Sequence, residues 1–143
     1  MAKFSESARV QASPDKAWAT ASDLSRLGEW MAMHEAWRSV VPSEITEGTM
    51  LTSVVSIKGL RNRITWRVAS FDPPRSIVLS GDGVGGTKVT IEMGIRPDGA
   101  GSLVDLDIEF SGKLVFGPVG VTIKRALKGD VRSSIEKLAD LIG

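Results

Sequence analysis

The stretch GPVGVTIKRALKGDVRSSIEKLADLI, Gly117 to Ile142, decides how the rest of the chain is read. Ile123, Leu127, Val131, Ile135, Leu138 and Ile142 recur at steps of three and four, so a helix places them on one stripe. Lys124, Arg125, Lys128, Arg132, Glu136 and Lys137 cover the remaining faces. One apolar stripe on a long helix needs one apolar surface to lie on. Gly129 interrupts the helix at a cost of about 1 kcal/mol relative to alanine. It points to close packing, a bend, or room left for something else.

The surface for that stripe comes from the middle of the chain, where the period is two. MLTSVVSI places Leu51, Ser53, Val55 and Ile57 on one side, and NRITWRVASF places Ile64, Trp66 and Val68 opposite Arg63, Thr65 and Arg67. KGLRN between them supplies a glycine-containing turn, and DPPR (72–75) makes a tight corner before the strand SIVLSG. GDGVGG (81–86) has four glycines but neither a phosphate-loop spacing nor a following helix, so it reads as a hairpin turn before TKVTIEMGI. In SLVDLDIEF, Val104, Leu106, Ile108 and Phe110 share the dry face. Asp105, Asp107 and Glu109 lie opposite, either as a cation site or as a wet face paired with lysine and arginine on neighbouring strands.

At the other end, residues 3–12 form a first strand with Phe4, Ala8 and Val10, and also Glu6, on one face. Ser13, Pro14 and Asp15 are an N-cap, a first helical position and a first-turn acid. Ser22 or Asp23 starts a second short helix, which Gly28 ends or loosens, and the period of two sets in near Ala36. The layout predicts an α+β helix-grip fold: a curved antiparallel sheet of about seven strands wrapped around a long C-terminal helix, with two short helices after the first strand. A curled sheet gripping one helix encloses an elongated apolar space, the ordinary form of a ligand site.

Composition narrows the function classes. The 143 residues are read as one domain, residues 1–143, able to bury about 70% of the unfolded surface. A net charge of +1 with scattered basic residues gives no footprint for nucleic acid. Cysteine is absent and there is one histidine, so thiolate sites are excluded and no metal centre is expected. No run approaches the roughly 20 apolar residues of a membrane span, and MAKFSESARV lacks the apolar core of a secretion signal. A cytoplasmic protein without cofactor, monomer or homodimer, is the expectation.

VQASPDKAWATASDLSRLGEW, then ITWRV, PPRSIVLSG and the closing helix together resemble a known family over essentially the whole chain. It is the polyketide cyclase/dehydrase and lipid-transport branch of the START-like (SRPBCC, Bet v 1-like) superfamily. The quoted motifs are Pro14 after the first strand, Trp18 in the first helix, and Asp23-Leu24 followed by Trp30. The resemblance implies the helix-grip fold with a cavity between sheet and C-terminal helix, in a family of lipid carriers, cyclases, oxygenase domains and chaperone activators. Cyclase relatives position their substrate with pocket arginine, tyrosine and serine. Tyrosine is missing here, Arg63 and Arg67 alternate outward, and one histidine cannot build the oxygenase iron site.

The candidate site follows from this layout. Trp30, Met31, Met33, His34 and Trp37 are read as the lip of the cavity or as ordinary core. Val55, Ile57, Asn62, Ile64, Trp66, Leu79, Ile91 and Met93 supply one wall by parity, and Leu106, Ile108 and Phe110 the next. Ile123, Leu127 and Val131 face them from the helix. Asn62, Ser53, Ser80 and Glu6 are the polar groups expected inside. The resulting function is the binding of a small hydrophobic molecule (lipid, fatty acyl, isoprenoid or polyketide-like), with His34, Asn62 and Glu6 on its polar head. Two alternatives stay open: a cyclase or dehydratase using His34 with Glu29 or Glu35, and a protein-interaction module, toxin-like or chaperone-regulating.

Overall fold

The computed structural model describes residues 2–112 and 119–143. The strands are β1 (Ala2–Val10), β2 (His34–Trp37), β3 (Met50–Ile57), β4 (Leu60–Asp72), β5 (Ser76–Asp82), β6 (Lys88–Asp98) and β7 (Gly101–Ser111). All seven form one antiparallel sheet in the order β1-β7-β6-β5-β4-β3-β2. Ile64, Trp66 and Val68 are buried while Arg63, Thr65 and Arg67 are exposed, so the sheet has the single dry face that alternation demands. Register shifts between His34 and Ala36 and between Val68 and Ser70 mark bulges, which bend and twist the strands that carry them. The result is a curled half-barrel.

Two placements along the strands differ from the sequence reading. Ser80 alternates with the buried Leu79 and stands on the outer face, because Gly81 takes the next inward position. The change of period begins at His34, two residues before the expected Ala36.

The helices are α1 (Pro14–Ala21) and α2 (Gly120–Ile142), with a 3-10 helix at Leu24–Glu29 between α1 and β2. Ser13 Oγ accepts the Lys16 N–H at 3.3 Å, with Pro14 in the first turn, and Asp23 Oδ1 accepts the Ser25 N–H at 3.1 Å. The second short helix is thus a tight one, and Gly28 lies within it instead of ending it. The proposed helix start at Gly117 lies outside the described residues. The predicted stripe of α2 is buried from Ile123 to Ile142, and the helix rests on β1 and β7 and reaches β3. Of the three readings open for Gly129, close packing is ruled out: its Cβ would meet nothing within 4 Å, since the residue sits on the solvent side of α2.

Three buried or half-buried bonds fix the covering elements. Ser134 Oγ donates to Asp130 O at 2.7 Å and accepts the Ala32 N–H at 2.9 Å, tying the Met31–Met33 segment to α2. Trp37 Nε1 donates to Leu24 O at 2.8 Å. Ser102 Oγ donates to Ala12 O at 2.7 Å where the chain leaves β1, and beside it a Cβ on Gly101 would stand 2.3 Å from Val10 O. On the outer face, Asp105 accepts from Arg96 Nε at 2.9 Å and from Ser7 Oγ at 2.6 Å, and Asp107 accepts from Ser5. The Arg96 guanidinium holds the Asp105 carboxyl below its usual range. These acids are the wet face of a strand, and among the described residues no acidic or histidine cluster is placed to hold a metal.

The two glycines give opposite expectations. Gly129→Ala should raise stability by up to about 1 kcal/mol, because the site is helical and open. Gly101→Ala should lower it by about 1–3 kcal/mol, because its methyl meets backbone that cannot turn aside. Thermal unfolding of both variants, with shifts of a few degrees in opposite directions, checks the assignment.

Candidate functional site

Between the concave face and its covering elements lie three small apolar spaces, each of about 10 Å³. The outer one is lined by Val55, Ile57, Leu60, Asn62, Ile64, Thr87, Val89, Phe110 and Ile123. The middle one is lined by Leu27, Met31, Met33, His34, Val55, Trp66, Val89, Ile91 and Phe110. The inner one is lined by Ala21, Leu24, Leu27, Trp30, Met31, Ile77, Leu79, Ile91 and Met93. Val55, Val89 and Phe110 border the first two, and Leu27, Met31 and Ile91 border the last two. The spaces thus run in series, each adjacent pair sharing three bordering residues. Two wider hollows, of about 450 and 540 Å³, lie open on the outside, beside Asp23 and Phe71 and beside Arg9 and Ala100.

The polar groups inside are few and mostly spoken for. Trp66 Nε1 donates to Ser53 Oγ at 2.8 Å in full burial. The ring fits because its partner in register on β5 is Gly81, where a Cβ would lie 2.7 Å from Trp66 Cε3. Asn62 Oδ1 accepts the Val84 N–H at 3.2 Å, which commits it to the β5–β6 turn. Glu6 borders none of the three spaces, which corrects its expected role at a ligand head. Trp30 differs from all of these. It is 2% exposed, and among the described residues its Nε1 is the one buried side-chain nitrogen or oxygen without a hydrogen-bond partner. Leaving such a donor unsatisfied costs about 1–3 kcal/mol.

His34 is half-buried and packs against Trp37, with ring centroids 4.7 Å apart. Burial pushes its pKa below the ordinary histidine value, so the imidazole is neutral near neutral pH. Neither glutamate considered as its orienter is available. Glu29 accepts from Arg26 Nε at 2.9 Å, and that contact lowers its pKa; Glu35 is held by Arg61. A histidine–carboxylate dyad is therefore not assembled here.

The geometry gathers most of the expected residues and rearranges some. Trp30, Met31, Met33, His34, Val55, Ile57, Asn62, Ile64, Trp66, Leu79, Ile91, Met93, Phe110 and Ile123 line the series of spaces. Leu106, Ile108, Leu127 and Val131 are fully buried core and border none of them. Trp37 is half-buried beside the 3-10 helix, outside the series. Trp30, Met31 and Met33 are 2–3% exposed, so they are interior wall and not a lip; the Ser134 bond holds this segment down on α2. Ala21, Leu24, Leu27, Leu60, Ile77, Thr87 and Val89 also border the spaces and were missed. Val89 and Ile77 share parity with Ile91 and Leu79, a signal that the sequence already carried.

A pH effect follows from the single histidine. Its folded pKa lies below the unfolded value of about 6.5, so the unfolded chain takes up the proton first and stability falls as pH drops through that value. Burial raises the Asp130 pKa, an effect of opposite sign in the more acidic carboxylate range. Melting temperature should fall between about pH 7 and about pH 5.5, and His34→Asn should flatten that slope.

Comparison with known proteins adds kinship. The family described as polyketide cyclase / dehydrase and lipid transport matches residues 1–143. An uncharacterized protein of Mycobacterium tuberculosis is 43% identical over 143 residues, spanning 100% of both chains. A toxin of the same organism is 41% identical over 136 residues, covering 95% of this chain and 94% of the toxin. The solved structure of a START superfamily protein from Mycobacterium smegmatis matches with a TM-score of 0.77 at 18% identity, covering 98% of this chain and 96% of that one. With the half-barrel and gripping helix already in view, the full-length match places this chain in the polyketide cyclase/dehydrase and lipid-transport family, on a START-like fold.

Proposed function

We propose that the protein binds a small hydrophobic molecule in the interior between sheet and α2, without catalysing a reaction on it. The observation that carries this reading is the serial arrangement of the three apolar spaces, which share their bordering residues. Met31 borders two of them, and an unbranched thioether repacks at little cost. The reading requires Met31 and Phe110, each on a shared border, to move aside so that the spaces join along the concave face. Apolar burial then supplies the affinity, at about 25 cal/mol per Å² before ordering costs. Family membership supports the same class of ligand, while the engagement of both glutamates by arginines speaks against a dyad.

The kinship with a toxin supports a second reading, in which the chain slows growth when produced in excess. Titrated expression in a heterologous host, with growth followed over time, tests it.

For the main reading, a thermal-shift and native mass-spectrometry panel of apolar molecules should give at least one stabilising, stoichiometric ligand. Ile91→Phe, which fills the boundary between the middle and inner spaces, should weaken that ligand about tenfold or more while the fold is retained. A blank panel, or an unchanged affinity in the filled variant, would remove the proposal.

A further inference from the structure

The donor left over at Trp30 narrows the chemistry of the occupant. We infer that the bound molecule carries an uncharged carbonyl oxygen that accepts the Trp30 indole N–H, an inference that rests on the interior being a ligand site. Nine side chains border the inner space and none ends in a charge, a hydroxyl or an amide. An indole nitrogen donates and never accepts. A hydrocarbon would leave that donor unpaired. A hydroxyl would satisfy it but bring a proton with no acceptor of its own beyond weak methionine sulfur. An ionised carboxylate would be buried without a cation, because no lysine, arginine or histidine borders the inner space. An ester, ketone or similar carbonyl matches the single donor and adds nothing unsatisfied.

A resident water does not serve instead. A space of about 10 Å³ is at the lower limit for one water. A buried water also needs two to four polar partners, roughly, where the side chains of this lining offer Trp30 alone. Two other indoles make the contrast: Trp66 is paired with Ser53 and Trp37 with Leu24 O. Trp30 also stands next to Met31, the movable boundary of the inner space, so opening the channel brings an occupant to it.

The test uses the full chain and its Trp30→Phe variant with three probes of similar length: methyl laurate, laurate and tridecane. Affinity is measured by native mass spectrometry and dye displacement, and the indole resonances by NMR of protein labelled with nitrogen-15 tryptophan. Trp30→Phe should weaken methyl laurate about five- to tenfold more than it weakens tridecane, the share of one neutral hydrogen bond. The indole resonance missing from the variant should shift downfield with methyl laurate and stay in place with tridecane. Equal losses for the two probes, or a preference for laurate with that resonance unmoved, would overturn the carbonyl contact and leave the hydrophobic site standing. If none of the three binds the parent protein, both readings fall together.

Discussion

One helix faces a sheet seven strands wide, and that mismatch governs the interior. The apolar stripe of α2 lies over β1 and β7 and reaches β3, and one helix is narrower than the concave face it covers. The segment between β1 and β2 adds to this roof in pieces: α1, the 3-10 helix and the Trp30–Met33 turn. Short elements meeting at angles do not interdigitate as two continuous surfaces do. Close packing fails slightly at their seams, where the middle and inner apolar spaces lie, while the outer one lies beside Ile123 of α2.

The same mismatch explains the buried bonds. Each ties a piece of the roof to something continuous: Ala32 to α2 through Ser134, Ala12 to β7 through Ser102, and Trp37 back to the 3-10 helix. Serine suits the task because one hydroxyl both donates and accepts in the space of a small side chain. Charged groups stay on the outer face, where Arg96, Arg61 and Arg26 engage the nearest carboxylates. Electrostatics therefore trims the surface and leaves the interior to apolar packing and a few neutral donors.

The architecture was legible because periods of two and 3.6 follow from backbone geometry alone. The alternation of Ile64, Trp66 and Val68 and the stripe from Ile123 to Ile142 are visible without coordinates. The site was legible only as a set of inward positions. Whether Trp30, Met31 and Met33 form a rim or a wall depends on a bond from Ser134, about a hundred residues away in the chain. The partners of Glu29 and Glu35 depend on which arginine the folded chain brings beside each, and for Glu35 that is Arg61 on another strand. An unpaired indole N–H is a property of its surroundings and leaves no mark on the sequence. Parity likewise cannot say that Leu106 and Leu127 end in solid core while Ile91 ends beside a void.

The contact between Trp66 and Gly81 reaches further than either residue. A side chain at position 81 would occupy the volume of the indole, and moving the indole would strand the Ser53 hydroxyl on a third strand. Positions 53, 66 and 81 thus behave as one heritable unit, in which the width of the interior is set by what β5 omits. A larger residue at 81 displaces Ile64 as well as Trp66, and a displaced indole no longer donates to the Ser53 hydroxyl. Variation in ligand size across relatives would be written as correlated change at these three positions, with the backbone ladder untouched.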